Sequence, residues 1–210
     1  MPGQPANILS PDAPAVLVIA GPNGAGKSTI AEAMIRDTLE VTEFVNADVI
    51  ARGLSAFEPE RVAFAAGQIM LARLHELARQ RRNFAFETTL ASRSLAVWFR
   101  ELVGDGYTVH LTFLWLSSEE LAIARVADRV RKGGHSIPIE TIRRRYRRAI
   151  MNFFGLYRPI VTTWGFYENS GEFSPRLIAS GVGRTTYTVV DQPSWDALRA
   201  RHDRRQTKEH

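Results

Sequence analysis

"AVLVIAGPNGAGKSTIAEAMI", residues 15–35, decides how the rest of this chain is read. Residues 15–20 form an unbroken apolar run of the kind found in strands buried on both faces. A glycine-rich turn follows, and an amphipathic helix takes over near Lys27. Gly21, Gly26, Lys27 and Ser28 match G-x-x-x-x-G-K-[ST], with Gly24 a further glycine inside the loop. Over Gly21, Pro22, Asn23, Gly24, Ala25, Gly26, Lys27, Ser28 and Thr29 the backbone can curl so that several N–H groups face one anion. The start of the helix adds the positive end of its dipole. Lys27 is expected to reach the outer phosphates, facing solvent while the site is empty, and the Ser28 hydroxyl to ligate Mg²⁺. A solvated glycine turn is the bland alternative, but the strand before it and the helix after it favour the phosphate cradle. The stretch predicts a nucleoside triphosphate site, with ATP and Mg²⁺ as cofactors.

Outward from this stretch the pattern is that of an α/β sandwich: a P-loop NTPase with a mostly parallel sheet, like the nucleoside and nucleotide kinases. Strands are predicted at 15–20, 43–46, 83–87, 107–116, 164–168, 176–180 and 186–190. Helices are predicted near 28–39, 58–81, 92–103, 117–131, from about Glu140, and as a short piece starting at Ser194. Val62, Ala66, Met70, Leu74 and Leu77 step by three or four, giving the apolar stripe of a surface helix. We expect a proline-rich leader over 1–14, a single domain over 15–198 with a basic lid at about 125–145, and a basic tail over 199–210.

The chain has 210 residues, 45% of them hydrophobic, enough for one domain with a substantial core. It has no cysteine, which removes disulfides and thiolate metal sites and fits a reducing, cytoplasmic setting. Its longest apolar runs, "AVLVIA" and "LTFLWL", are far shorter than the roughly 20 residues of a membrane helix. Net charge is +5, with the basic residues gathered in "RVADRVRKGG", "RRRYRR" (143–148) and "LRARHDRRQTKEH". Such an excess suits either a polyphosphate ligand or nucleic acid.

A P-loop fixes the phosphoryl donor and leaves the acceptor open. A kinase needs a base near the γ-phosphate, cations for the charge that builds there, and a cover against water. Asp48 in "FVNADVI" (44–50) stands where a strand opens into a loop and is the candidate base; its ordinary alternative is the N-cap of "VIARGL". Glu87, Thr88 and Thr89 end the strand of "FAFETTL" and suit substrate hydroxyls or a Mg²⁺-bound water, unless a threonine caps the next helix. Arg125 and Arg129, four apart, share a helix face and are read as lid cations. Gly133 and Gly134 are read as hinge or helix stop.

The set "GPNGAGKST", "FVNAD", "FETTL", "GY.VHL.FLWL", "ARV..RV..GGH.IP" and "ENS" (168–170) resembles the small single-domain members of the zeta-toxin family, from about Val16 to Val190. Better-studied members of that family are P-loop kinases that phosphorylate the 3′-hydroxyl of the amino sugar in UDP-N-acetylglucosamine, and an antitoxin protein is a possible partner. The resemblance implies Lys27 as P-loop lysine, Asp48 as base, Glu87 and Thr89 as metal or substrate contacts, and Arg129 as the first of two catalytic lid arginines. His135 stands where the second belongs, with Arg131 and Arg143 as substitutes. The implied partners are ATP, a hydroxyl-bearing nucleotide-type substrate and an antitoxin. Two other readings stay open. A polynucleotide or nucleoside kinase would use the basic runs, with Tyr146 among the arginines but no stacking platform evident. An ABC-like ATPase or nucleotide switch would call for an LSGGQ-like string, which does not occur.

Overall fold

The computed structural model describes residues 13–38, 41, 43–134, 136–171 and 175–206. His135 and most of the expected leader lie outside these residues, as does the end of the expected tail. Seven strands form one sheet: β1 (Ala15–Ala20), β2 (Glu43–Val45), β3 (Phe84–Thr88), β4 (Thr108–Trp115), β5 (Thr163–Glu168), β6 (Arg176–Val182) and β7 (Thr185–Val189). Their spatial order is β2-β3-β1-β4-β5-β6-β7. The first five are parallel, and β6 and β7 extend the sheet antiparallel. The mostly parallel α/β fold is therefore as read from the sequence. β1 sits between β3 and β4 with all six residues buried, which is why its run is apolar without alternation.

The helices are α1 (Lys27–Thr38), α2 (Ala47–Leu54), α3 (Ala63–Arg79), α4 (Leu95–Gly104), α5 (Glu119–Arg131), α6 (Ile139–Asn152) and α7 (Gln192–Gln206). A 3-10 turn, Pro59–Val62, leads into α3, and a π-helical turn, Phe153–Tyr157, follows α6. Ala66, Met70, Leu74 and Leu77 are the buried stripe of α3, as their spacing predicts. The last helix begins two residues before Ser194 and takes up most of the expected tail. The sequence reading held α2 only as the helix of "VIARGL" that Asp48 would otherwise cap, because eight residues are too few for a periodic signal.

Two hydrophobic layers cover the sheet. One joins α3, α4, the π-turn and α7 around Phe84, Phe86, Phe99, Phe113, Phe166 and Trp195. The other packs Ala122 and Val126 of α5, and Ile142 and Tyr146 of α6, against Leu17, Ile19, Leu114 and Leu116. The expected lid segment thus has its apolar face in the core. Tyr146 donates its hydroxyl to the Leu116 carbonyl (2.6 Å), and Arg147 grips Glu119 through Nε (2.6 Å) and Nη2 (3.0 Å). Gly133 and Gly134 act as the stop of α5, their amides returning to the carbonyls of Val130 and Arg129. Among the described residues no helix is long and apolar enough to cross a membrane.

Candidate active site

The carboxyl ends of β2, β3 and β1 lie side by side, because Val45 pairs with Phe86 and Ala20 with Thr88. The residues after these ends therefore converge, as ligand-binding groups do in open parallel sheets.

The glycine loop follows β1. Gly21 holds a φ of +145°, and a Cβ there would fall onto the Leu114 carbonyl oxygen of β4. Gly24, at φ +79°, lies against α5: a Cβ would stand 2.9 Å from the Ala122 carbonyl oxygen and 3.2 Å from the Arg125 Cβ. The loop is thus pressed between β4 and α5, and only glycine fits at either contact. Pro22, Asn23 and Ala25 are buried, Gly26 is half-buried, and Ser28 and Thr29 open α1 exposed. Lys27 does not face solvent as expected. Its ammonium turns back into its own loop, donating to the carbonyls of Gly21 (3.1 Å) and Pro22 (3.0 Å). Burial lowers its pKa, with the Glu87 and Asp48 carboxylates acting against that and Arg129 and Arg145 adding to it.

Glu87 stands across from the loop. It accepts from Ser28 Oγ (3.2 Å) and from Asn46 Nδ2 (3.0 Å). Its carboxyl is pushed above the usual range, chiefly by burial, although Lys27 and these two hydrogen bonds favour the charged form. Asn46 is the N-cap of α2: its Oδ1 accepts from the amides of Asp48 (2.8 Å) and Val49 (3.3 Å). One side chain therefore caps a helix with its oxygen and anchors Glu87 with its nitrogen. The capping role weighed for Asp48 is already filled. Asp48 lies one position inside α2 with an exposed side chain, close enough to Lys27, Glu87 and Arg145 for charge coupling.

Thr88 and Thr89 do not cap the next helix. Their hydroxyls accept from the amides of Leu90 (3.1 Å) and Ala91 (3.5 Å), shaping a tight turn in which Leu90 is buried at φ +54°. The backbone carbonyl of Thr88 also accepts from the Gly21 amide, tying this strand end to the loop.

The arginines divide differently from expectation. Arg129 lies within charge-coupling range of Lys27, its side chain packed along Gly134 at the end of α5. Arg125 instead donates to the carbonyls of Asn169 (2.7 Å) and Ser170 (2.9 Å). Asn169 in turn donates to the Ala25 carbonyl (2.7 Å), so Arg125 and Asn169 brace the loop from behind. Of the proposed second lid cations, Arg131 pairs with Asp128 (3.1 Å) and Arg143 with Glu140 (2.9 Å) on the surface, and His135 lies outside the described residues. The cation brought to the loop is Arg145 on α6. It is half-buried, points Nη1 at Asn23 Oδ1 (3.4 Å), and couples to both Lys27 and Asp48. Burial lowers its pKa, Arg144 adds to this, and Asp48 opposes it. The sequence reading saw the run 143–148 but not this residue. The signal was helical phase: Ile142, Tyr146 and Ala149 define the buried face of α6, and Arg145 flanks it.

Lys27 and Arg145 therefore lie beside the glycine loop within charge-coupling range of Asp48, Lys27 is also coupled to Glu87, and Arg129 is coupled to Lys27. Ser28 and Glu87 offer oxygen donors 3.2 Å apart, a set that suits Mg²⁺. Among the described residues no group of three or more His, Cys, Asp or Glu converges. A cation here would share its coordination with a nucleotide's phosphates, as Mg²⁺ commonly does.

A family model described as an AAA domain matches residues 16–153. A protein of Haemophilus influenzae described as uncharacterized is 29% identical over 126 residues, covering 60% of this chain and 88% of its own. Among solved structures, the complex AvrRxo1-ORF1:AvrRxo1-ORF2 with sulphate ions gives a TM-score of 0.70 at 15% identity over 89% of this chain. This chain spans 63% of the length of that one. The PezAT chromosomal toxin–antitoxin system of Streptococcus pneumoniae gives 0.60 at 13% identity, over 95% of this chain and 88% of its counterpart. These structural likenesses are likenesses of fold. The family match covers well over half of the sequence and contains the glycine loop, both carboxylates and all three cations, so the chain belongs to the AAA-domain family.

Proposed function

We propose that this protein is an ATP-dependent kinase of zeta-toxin type, transferring the γ-phosphoryl group of ATP to a hydroxyl of a nucleotide-type small molecule such as UDP-N-acetylglucosamine. The observation that carries the reading is the placement of Asp48: exposed, relieved of capping by Asn46, and facing Lys27 and Arg145 beside the phosphate loop. In this reading the loop amides and Lys27 hold the β- and γ-phosphates, and Lys27 exchanges its two carbonyl partners for phosphate oxygens. Asp48 accepts the proton of the acceptor hydroxyl as its oxygen approaches phosphorus. Arg129 and Arg145 take up the negative charge that gathers on the transferring phosphoryl. Ser28 and Glu87 would hold Mg²⁺, which neutralises phosphate charge when bound. Arg125 and Asn169 keep the loop in shape without touching the reacting atoms.

The AvrRxo1-ORF1:-ORF2 complex with ATP is a fold relative of the same class, with a TM-score of 0.68, which supports ATP as donor. The toxin–antitoxin relative supports an antitoxin-like polypeptide as a partner. The polynucleotide alternative loses its aromatic, since Tyr146 is buried and bonded to the Leu116 carbonyl. The test is a transfer screen. Purified protein and γ-labelled ATP are incubated with nucleotide sugars, nucleosides and a single-stranded oligonucleotide. Label on a nucleotide sugar is the expected result. Label on the oligonucleotide alone would move the acceptor class, and a rate of phosphate release that no nucleotide sugar, nucleoside or oligonucleotide alters, with none of them labelled, would overturn the nucleotide-type acceptor.

A further inference from the structure

The basic run 143–148 turns out to be largely committed. Arg143 and Arg147 are in ion pairs, Arg144 contacts Thr141 (3.4 Å), and Arg145 faces the loop. A second group of arginines lies at the opposite end of the sheet. Arg158 precedes β5, Arg184 sits in the β6–β7 turn, and Arg199 lies on α7. The antiparallel register puts Thr163 beside Val182, so the start of β5 and the β6–β7 turn share the edge away from the phosphate loop. Pro159 and Gly183 approach one another there.

Three aromatic rings form the floor under Arg158: its guanidinium carbon stands 5.5 Å from the Trp164 centroid, 5.8 Å from Phe154 and 6.0 Å from Trp195. Its Nε is buried and meets no hydrogen-bond acceptor among the described residues. Arg184 and Arg199 are near enough for their charges to repel that of Arg158, while among the described residues Asp203 opposes them. None of the three arginines forms a salt bridge among the described residues. Around Arg158, itself fixed by stacking, two further guanidinium groups outweigh one carboxylate among the described residues, which leaves an excess of positive charge beside preset donors. Phosphate diesters match such a surface, since guanidinium forks bind their oxygens in pairs. The same hairpin carries Tyr187, 71% exposed, three residues beyond Arg184 and so about 10 Å along the strand. An exposed ring beside arginines is what a single strand uses to stack an unpaired base.

We propose that this edge, formed by Arg158, Arg184, Arg199 and Tyr187, is a docking surface for a single-stranded nucleic acid, separate from the kinase site. Phosphates on the three arginines supply the attraction, and Tyr187 receives a base.

The probe is a fluorescent 12-nucleotide single-stranded RNA, titrated by anisotropy against the full chain over a range of salt. Contacts to three phosphates give a slope of log K against log salt of roughly −2. Arg184→Glu/Arg199→Glu leaves the stacked Arg158 and the aromatic floor in place. It should weaken binding about tenfold or more and bring the slope to roughly −0.7. Arg131→Glu/Arg143→Glu, the same charge change on α5 and α6, should leave affinity within about twofold. Tyr187→Ala should weaken the 12-nucleotide RNA but not an abasic strand of the same length and charge. Equal losses in the two double variants would reduce the effect to net charge and overturn the proposal. So would RNA binding that ignores the Arg184/Arg199 reversal, or equal binding of the RNA and the abasic strand with no effect of Tyr187→Ala.

Discussion

Replacing Asp48 by Asn separates chemistry from architecture at one atom. The architectural part is small, because the cap of α2 belongs to Asn46, whose Oδ1 takes the Asp48 and Val49 amides. What Asp48 contributes to folding is a negative charge in the first turn of α2, worth about 0.3–1 kcal/mol at a helix N-terminus. For a domain of this size that is a fall in Tm of roughly 1–4 °C. The chemical part is large. Positioned general-base catalysis is typically worth about 10²- to 10⁴-fold in rate, or roughly 3–5 kcal/mol of barrier. Asn keeps the volume and cannot take the proton. Single-turnover transfer to the best acceptor should therefore drop by about 10²–10⁴ with ATP affinity nearly unchanged. Asn46→Ala provides the contrast: loss of the cap costs about 1 kcal/mol, so Tm should fall by at least roughly 2–4 °C, and further where the lost hydrogen bond to Glu87 adds to it. Transfer within threefold of wild type in Asp48→Asn, at full acceptor occupancy, would refute Asp48 as the base and direct the search to Glu87.

Arg145→Ala should lower the transfer rate by about 10²- to 10³-fold while ATP affinity, read by titration, changes far less; Arg131→Ala and Arg143→Ala should leave both untouched, and the opposite pattern would return the second cation to the surface residues. Glu87 gives a pH signature. Its pKa is raised in the fold, so the folded state holds that proton more tightly than the unfolded one. Its stabilisation is complete below the unfolded value and is lost as pH rises through the folded value. Glu87→Gln should therefore flatten the pH dependence of Tm above the ordinary Glu range, and a slope that persists in the variant would assign it to another group. Asn169→Ala removes a buried hydrogen bond to the phosphate loop and should weaken ATP binding by about 1–3 kcal/mol, roughly 5- to 150-fold; unchanged affinity would show that the loop keeps its shape without the brace. Gly24→Ala should fail to fold or lose ATP binding, since it sets a side chain 2.9 Å from the Ala122 carbonyl oxygen at a positive φ.

The fold was legible where the chain has long, one-sided patterns. The apolar run 15–20, the stripe of α3 and the glycine loop each carry their own physical signal, and the parallel sheet followed from them. Short elements were not legible: α2 has eight residues and the π-turn five, too few for a period to show. In the site, residues defined by chemistry alone, such as Lys27, Asp48 and Glu87, could be named from sequence. Residues defined by direction could not. Arg125, Arg129, Arg143 and Arg145 are alike on the page, and only packing decides that Arg125 braces the loop from behind, Arg143 lies on the surface and Arg145 faces the loop, with Arg129 in charge-coupling range of Lys27. Asn46 could not be picked out this way, because its two roles lie on different elements and the partner Glu87 is 41 positions away.

The embedding of α5 and α6 in the core has a kinetic consequence. Kinases that fold a flap over ATP tie dehydration of the site to the arrival of both substrates. Here the elements that bear Arg129 and Arg145 are anchored through Val126, Ile142 and Tyr146, and moving them would expose apolar surface buried against Leu17 and Ile19. The cationic side of the site is a wall already standing, so ATP meets its full complement of positive charge on arrival. Protection against water then rests on whatever occupies the Asp48 side. An enzyme built this way should leak, spending ATP slowly on water when the acceptor is missing and sparing it when the acceptor is bound.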